Sequence, residues 1–315
     1  MRPLPHLLSL AILALSAGSA FAQTKFPLTL DNCGVEVVLN APPQRVVTIK
    51  STATEMLLAL GLGARIVGVG FQDGPAPEPW TAAAAALPVL SDKLPSQEVV
   101  LEAEPDFIYG GWESNFAADG VGERPTLASL GVAGYVSPAA CRSIKPAKLT
   151  FDDVFSQIAE MGTIFDAAPA ADGVIAEQKA ALAAIAPDTR GFTALWYSSG
   201  TKTPYVGAGS GAPQMMLEAL GLDNIMADVD DGWVSASWEA VVDANPDVIV
   251  LVDATWNSAE QKKTLLAENP ITSKLDAVIN QRYLIIPFPA SEAGVRNVGA
   301  TAEMAAQLAG LNFAP

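Results

Sequence analysis

Two stretches of this chain carry the same thirteen-residue pattern. Ser96 to Ile108 reads SQEVVLEAEPDFI, and Ser237 to Ile249 reads SWEAVVDANPDVI. Without a gap they share Ser96/Ser237, Glu98/Glu239, Val100/Val241, Ala103/Ala244, Pro105/Pro246, Asp106/Asp247 and Ile108/Ile249, with an acid at Glu102/Asp243. A second pair, MLLALGL from Met56 and MLEALGL from Met216, occurs in the same order, and the two offsets are 141 and 160 residues. A unit repeated in this way constrains the chain to two related halves.

Each half supplies a serine able to cap a helix, a helix with acidic residues, a Pro-Asp turn and an apolar strand. The strand is FIYGG in the first half and VIVLVD in the second. Other short apolar runs, RVVTI, RIVGVG, VAGYV, TALWY and YLIIPF, alternate with helical patterns. Such alternation predicts an α/β fold of two Rossmann-like lobes, each with a mostly parallel sheet. Between the halves, Phe151 to Phe165 is the longest helical stretch, with Phe151, Val154, Phe155, Ile158, Met161 and Phe165 at helical spacing and Asp152 and Asp153 in its first turn. An alanine-rich helix follows to about Ile185. The pattern predicts a single stiff connecting helix, because a flexible hinge needs glycine-rich, extended linker chemistry.

The N-terminus carries Arg2, an apolar core from Leu7 to Leu15, and Ala20-Phe21-Ala22 before Gln23. This predicts a cleavable secretory signal, since the apolar core is too short to span a bilayer. The predicted divisions are a signal over 1–22, a first lobe over 23–149, the connecting helix over 150–167 and a second lobe over 168–315. A soluble periplasmic protein is expected. Cys33 and Cys141 are the only cysteines, and in an oxidising compartment they are expected to pair. With 34 acidic against 18 basic residues, nucleic acid and anionic membrane surfaces are poor partners. The single histidine, His6, lies in the signal, which removes histidine-based triads, Cys-His pairs and histidine metal sites. Carboxylates do not cluster at metal-ligand spacing, so neither a bare metal site nor a resident cofactor is expected.

In open α/β sheets, ligands bind beyond the carboxyl ends of the strands. In the first half those exits hold Lys50, Ser51 and Thr52, then Asp73, then Trp112 and Glu113. The second half offers Trp196 and Tyr197 before a pair of serines, Asp253 and Trp256, and a run through Glu292 to Arg296. Tyr205 opens YVGAGSG, which lacks the Gly-Lys-Ser/Thr of a phosphate loop and is expected to form a flexible lip before a helix. These twelve candidates, with Glu292 outside the set, outline an aromatic, amphipathic pocket between the lobes. The hydroxyl run after Lys50 is expected to cap a helix starting near Thr54-Glu55 and to present its backbone N–H groups to a ligand. Taken singly, each tryptophan is equally compatible with capping a core, Lys50 with a solvated strand end, and Arg296 with either an anion clamp or a surface ion pair. Glu98 and Glu239 sit where a helix dipole favours any acid.

The order RVVTIKSTATEMLLALGLGARIVGVG, QEVVLEAEPDFIYG, a long helix, then WEAVVDANPDVIVLVD resembles the periplasmic substrate-binding proteins of ABC importers for cobalamin and iron-siderophores. The resemblance covers essentially the whole mature chain. It implies a class III periplasmic binding protein: two lobes on one rigid helix, opening little, with the ligand between them. It also implies that Glu98 and Glu239 dock onto permease arginines. The runs SSGTKTPYVGAGSGAPQM and FPASEAGVRNV are similar to members described as importers of a deazaflavin precursor. The expectation is a monomeric binding protein without enzymatic activity that hands a metal chelate or cofactor-like molecule to the permease subunits. The alternative of another class is a secreted hydrolase with an acid–base pair drawn from Asp73, Glu113, Asp253 and Glu292, although no spacing enforces the separation such a pair needs.

Overall fold

The computed structural model describes residues 23–313, so the predicted signal, 1–22, lies outside the described residues. A hairpin of β1 (Leu28–Asn32) and β2 (Val35–Leu39) comes first, turning at Cys33 and Gly34 with φ of 54° and 74°. The first lobe is built on β3 (Val46–Ile49), β4 (Ile66–Gly70), β5 (Val89–Ser91), β6 (Phe107–Gly110) and β7 (Ala133–Val136). These run parallel in the order β5-β4-β3-β6-β7. The chain therefore winds one way from β3 and then the other, and the crevice at the carboxyl ends of β3 and β6 is the place where such a sheet holds a ligand. Lys50 follows β3 there, and Gly111 and Trp112 follow β6.

The second lobe contains β8 (Thr193–Ser199), β9 (Tyr205–Gly207), β10 (Asp223–Asn224), β11 (Trp233–Ser235), β12 (Val248–Asp253) and β13 (Tyr283–Pro287). Its order is β11-β9-β8-β12-β13, with β10 on β8. The β8, β12 and β13 strands are parallel, whereas β9 and β11 run antiparallel to their neighbours. The run YVGAGSG thus begins as a strand before the helix Ala212–Leu220, and not as a free lip. Every residue of β3 and β6 and the first five of β12 are buried, as expected for strands covered on both faces.

The repeat has a structural reason in both lobes. Ser96 and Ser237 cap the helices Gln97–Glu102 and Trp238–Ala244 through their side chains. Downstream, the Asp106 carboxylate accepts from the backbone of Gln44 and Arg45 ahead of β3, and Asp247 accepts from Thr193 N at the start of β8. Each Pro-Asp turn therefore fixes the register of its strand against the central strand of the sheet.

The connecting helix is Phe151–Ile164, started by Thr150 and Asp153, which cap one another's backbone N–H groups. Val154, Phe155, Ile158, Met161 and Phe165 are buried as the spacing predicts, and Phe165 meets Phe107 edge-on at 5.6 Å. It is not the longest helix: Ala168–Ala183 has 16 residues against 14. An alanine-rich face has little apolar contrast, so periodicity understates such a helix. The two pack so closely that a Cβ on Gly162 would stand 2.6 Å from that of Ala171. Cys33 and Cys141 form a disulfide, with Cα atoms 5.3 Å apart, which ties the hairpin turn to the segment after β7. Among the described residues, no helix is long and apolar enough to cross a membrane.

Candidate functional site

Between the lobes, beyond the carboxyl ends of both sheets, lies a cavity of about 720 Å³. One wall is Trp112 with Thr52; the facing walls are Tyr205 on Trp233, stacked at 5.8 Å and 13°, and Trp256 edge-on to Phe288 at 5.8 Å. Ser198 and Ser199 close the end of β8. Of the twelve candidates, Thr52, Trp112, Glu113, Tyr205 and Trp256 line this cavity. The other seven candidates do not line the cavity, each for a definite reason.

Lys50 is 2 % exposed, neither solvated nor open to a ligand. Its ammonium pairs with Asp73 and stands 3.7 Å from the Trp112 ring centroid and 4.3 Å from that of Phe71. Burial pushes the Asp73 carboxyl above its usual range, against the pull of Lys50. Asp73 also receives the Ser51 N–H at 3.3 Å, and its own N–H donates to Ser51 Oγ at 2.9 Å. The helix that follows starts at Ser51, three residues before the expected start, and its first N–H is already taken by a carboxylate that suits the positive end of the dipole. Thr54 does not cap it; its hydroxyl lies 2.7 Å from that of Thr48 inside the core. Lys50 and Asp73 are therefore a sealed charge pair under the aromatic wall, with Ser51 bound to Asp73. Gly111 allows the approach, since a Cβ there would meet Lys50 Cβ at 2.7 Å.

Trp196 and Tyr197 are fully buried on opposite faces of β8, because helices cover that strand on both sides. Asp253 turns away from the cavity and caps the helix Ala259–Glu268 through Ala259 N at 2.8 Å. Near it, buried Lys262 donates to the carbonyls of Val252 and Asn257, both at 2.6 Å, and so pins the loop that carries Trp256. Burial lowers the Lys262 ammonium to about 8, with Asp253 opposing. Arg296 is neither a clamp nor a surface pair; it meets Glu55 in the interior at 3.3 Å.

Two features of the cavity lie outside the twelve candidates. The first is the strap from Ala139 to Leu149, which forms much of one wall. Cys141 anchors one end through the disulfide, and Glu113 accepts from the backbone of Arg142 and Ser143 and from Ser143 Oγ. Burial works against ionisation of Glu113, but those hydrogen bonds outweigh it and hold the carboxyl below its usual range. Across the cleft the strap reaches the second lobe through Arg142 to Asp231 and Lys145 to Asp230. Only the two prolines, the cysteine and the missing periodicity of SPAACRSIKPAKLT hint at it.

The second is Glu292, one turn after Phe288. Its Oε2 accepts from Trp112 Nε1 at 2.9 Å, a bond between the lobes. Among the described residues Oε1 has no hydrogen-bond partner, and it is not sealed off, so it opens on the cavity. Burial pushes this carboxyl above its usual range, against Trp112 and Lys50. No group of three or more His, Cys, Asp or Glu that could hold a metal ion occurs among the described residues.

Two α/β lobes on a connecting helix, with a ligand-sized cavity between them, define a two-lobed solute-binding protein. The profile of the periplasmic binding protein family matches residues 46–290, and the chain belongs to that family. It is similar to YvrC of Bacillus subtilis, described as an uncharacterized ABC transporter substrate-binding lipoprotein, with 24% identity over 89% of this chain and 85% of that one. A cobalamin-binding protein of Halobacterium salinarum is 30% identical over 71% of this chain, which spans 58% of that relative's length. The crystal structure titled as an ABC-type Fe3+-hydroxamate transport system from Saccharomonospora viridis superposes with a TM-score of 0.79 at 27% identity, covering 90% of this chain and 99% of that one.

Proposed function

We propose that this protein captures a metal chelate or large cofactor-like molecule, of the iron-siderophore or cobamide type, and delivers it to the membrane subunits of an ABC importer. The observation that carries the reading is the interlobe cavity: aromatic on facing walls, about 720 Å³, with an open carboxyl oxygen of Glu292 and no metal cluster among the described residues. It suits a bulky, pre-assembled ligand better than a bare ion. The relatives named for cobalamin and ferric hydroxamate support the same class.

The reading includes export to the periplasm with cleavage after Ala22, a monomer, and no enzymatic activity. Of the four acids considered for hydrolysis, Asp73 is sealed, Asp253 faces away, and Glu113 is occupied by the strap. Glu292 alone brings a free oxygen to the cavity, which does not make an acid–base pair. Glu98 and Glu239, exposed on equivalent first turns of the two lobes, are the permease contacts.

Native mass spectrometry of the protein exported to a bacterial periplasm tests this. A retained chelate or corrinoid mass is expected, whereas a deazaflavin-type mass reassigns the ligand. Turnover of glycans by the purified protein overturns the reading.

A further inference from the structure

The charges around the cavity narrow the ligand's chemistry. Glu113, Asp230, Asp231 and Glu292 line it on the acidic side, against Arg142 and Lys145 on the basic side. Both cations are engaged across the mouth, Arg142 with Asp231 and Lys145 with Asp230. Of the cations behind the walls, Lys50 lies sealed behind Trp112 and is neutralised by Asp73, and Arg124 is buried behind Glu113. A ligand that enters therefore meets aromatic faces, serine hydroxyls and, away from the exposed Asp230 and Asp231, the open Oε1 of Glu292. Glu292 is not free to turn away, because Oε2 is held by Trp112 Nε1.

An anion placed here competes with Asp231 and Asp230 for Arg142 and Lys145 and enters a cavity whose lining carries four carboxylates against two cations, so the loss of its hydration is poorly compensated. A neutral or cationic molecule carrying N–H or O–H groups meets the reverse situation. Its aromatic or macrocyclic surface covers the tryptophans, and one of its donors satisfies Glu292.

We propose that Glu292 is the ligand-orienting acceptor of this cavity, and that the cargo is a neutral or cationic molecule rich in hydrogen-bond donors, such as carboxamides, hydroxyls or ammonium groups, and not a polyanion. This rests on the binding-protein reading above and goes further by assigning the charge of the ligand and the residue that selects it.

Fluorescence quenching of the cavity tryptophans tests it with three probes: cyanocobalamin, a carboxamide-bearing corrinoid; ferrioxamine B, a cationic trihydroxamate chelate; and a ferric tris-catecholate trianion. At least one of the first two is expected to bind ten times or more tighter than the trianion. Glu292→Ala is expected to weaken that probe about tenfold or more, the scale of one hydrogen bond to a charged group. Glu292→Gln has one acceptor oxygen, which can keep the Trp112 bond, and places an NH2 donor where the ligand needs an acceptor, so it is expected to weaken the probe as well. The thermal midpoint of each variant, measured alongside, separates a lost contact from a lost fold. If the trianion binds as tightly as the others, or if both variants that fold keep affinity within twofold, the inference is overturned while the binding-protein reading stands. Failure of all three probes to bind the wild-type protein counts against that reading, and the inference falls with it.

Discussion

Glu55 and Arg296, separated by 241 positions, form an ion pair where the two lobes meet: Arg296 Nη1 lies 3.3 Å from Glu55 Oε1. Glu55 belongs to the first helix of the first lobe, and Arg296 precedes the last helix of the second. Glu55 is 1 % exposed, and among the described residues its Oε2 has no partner. One arginine contact does not compensate for that burial, and the carboxyl is pushed up to about 7.

A pH dependence follows from this pair. Because the folded value lies above the ordinary 4.5, the native state holds a proton that the unfolded chain has released between about 4.5 and 7. The contribution of Glu55 is therefore most favourable below about 4.5 and is lost as pH rises through 7. Thermal unfolding of wild type and Glu55→Gln across pH 4 to 8 checks the sign. The difference between them is expected to move in favour of the variant as pH rises, and a difference independent of pH contradicts the assignment.

The pair beneath the aromatic wall makes a prediction about stability. Lys50 and Asp73 have side chains only 2 % and 5 % exposed, and Lys50 adopts φ 78°, an unfavourable conformation for a residue with a Cβ. Lys50→Met leaves the Asp73 carboxylate buried and uncompensated, which typically costs about 3–5 kcal/mol. Urea unfolding is expected to show a loss on that scale, and the Lys50→Met/Asp73→Asn double variant is expected to recover part of it. A loss below about 1 kcal/mol for the single variant would place the pair in water.

These two pairs also mark the boundary of what the sequence reveals. The strands around Val46, Ile66, Phe107, Ala133, Thr193, Val248 and Tyr283 are readable because each is a short apolar run, continuous and buried at the sheet centres and still apolar at the edge strands around Ala133 and Tyr283. The caps at Ser96 and Ser237 are readable because capping is local. Lys50 and Arg296 looked like ligand contacts because the order of residues identifies a strand exit but not the partner that folding brings there. Trp196 and Tyr197 failed for a related reason, since an aromatic residue near a strand end faces either core or cleft according to the layer above it. The strap carries no period at all, so its place over the cavity follows from tertiary contacts alone.

The repeated glutamates give a functional prediction. Glu98 and Glu239 are exposed in the first turns of helices that lead into β6 and β12, and neither makes a hydrogen bond or ion pair among the described residues. Charge reversal at both positions removes any attraction to cationic groups on a permease without touching the cavity. Glu98→Lys/Glu239→Lys is expected to abolish ligand uptake in cells carrying the cognate importer while leaving affinity for the isolated protein within about twofold. Loss of affinity instead would assign these residues to ligand binding.

The strap tests which of its restraints matters. Its ion pairs are exposed: Arg142 and Asp231 by 61% and 52%, Lys145 and Asp230 by 60% and 78%. Exposed pairs contribute about 0–1 kcal/mol and are screened by salt, so Asp230→Asn/Asp231→Asn is expected to change stability by less than about 1 kcal/mol. The disulfide is different, because Cys33 and Cys141 are buried and close a loop with a sequence separation of 108. Removing such a cross-link enlarges the unfolded ensemble, a loss of about 2–5 kcal/mol. It also frees the end of the segment that Glu113 holds against the cavity. Cys33→Ser/Cys141→Ser is therefore expected to lower the urea midpoint strongly and to weaken ligand binding, whereas the aspartate variant does neither. Equal effects from the two variants would mean that the strap is held by its charges and not by its covalent anchor.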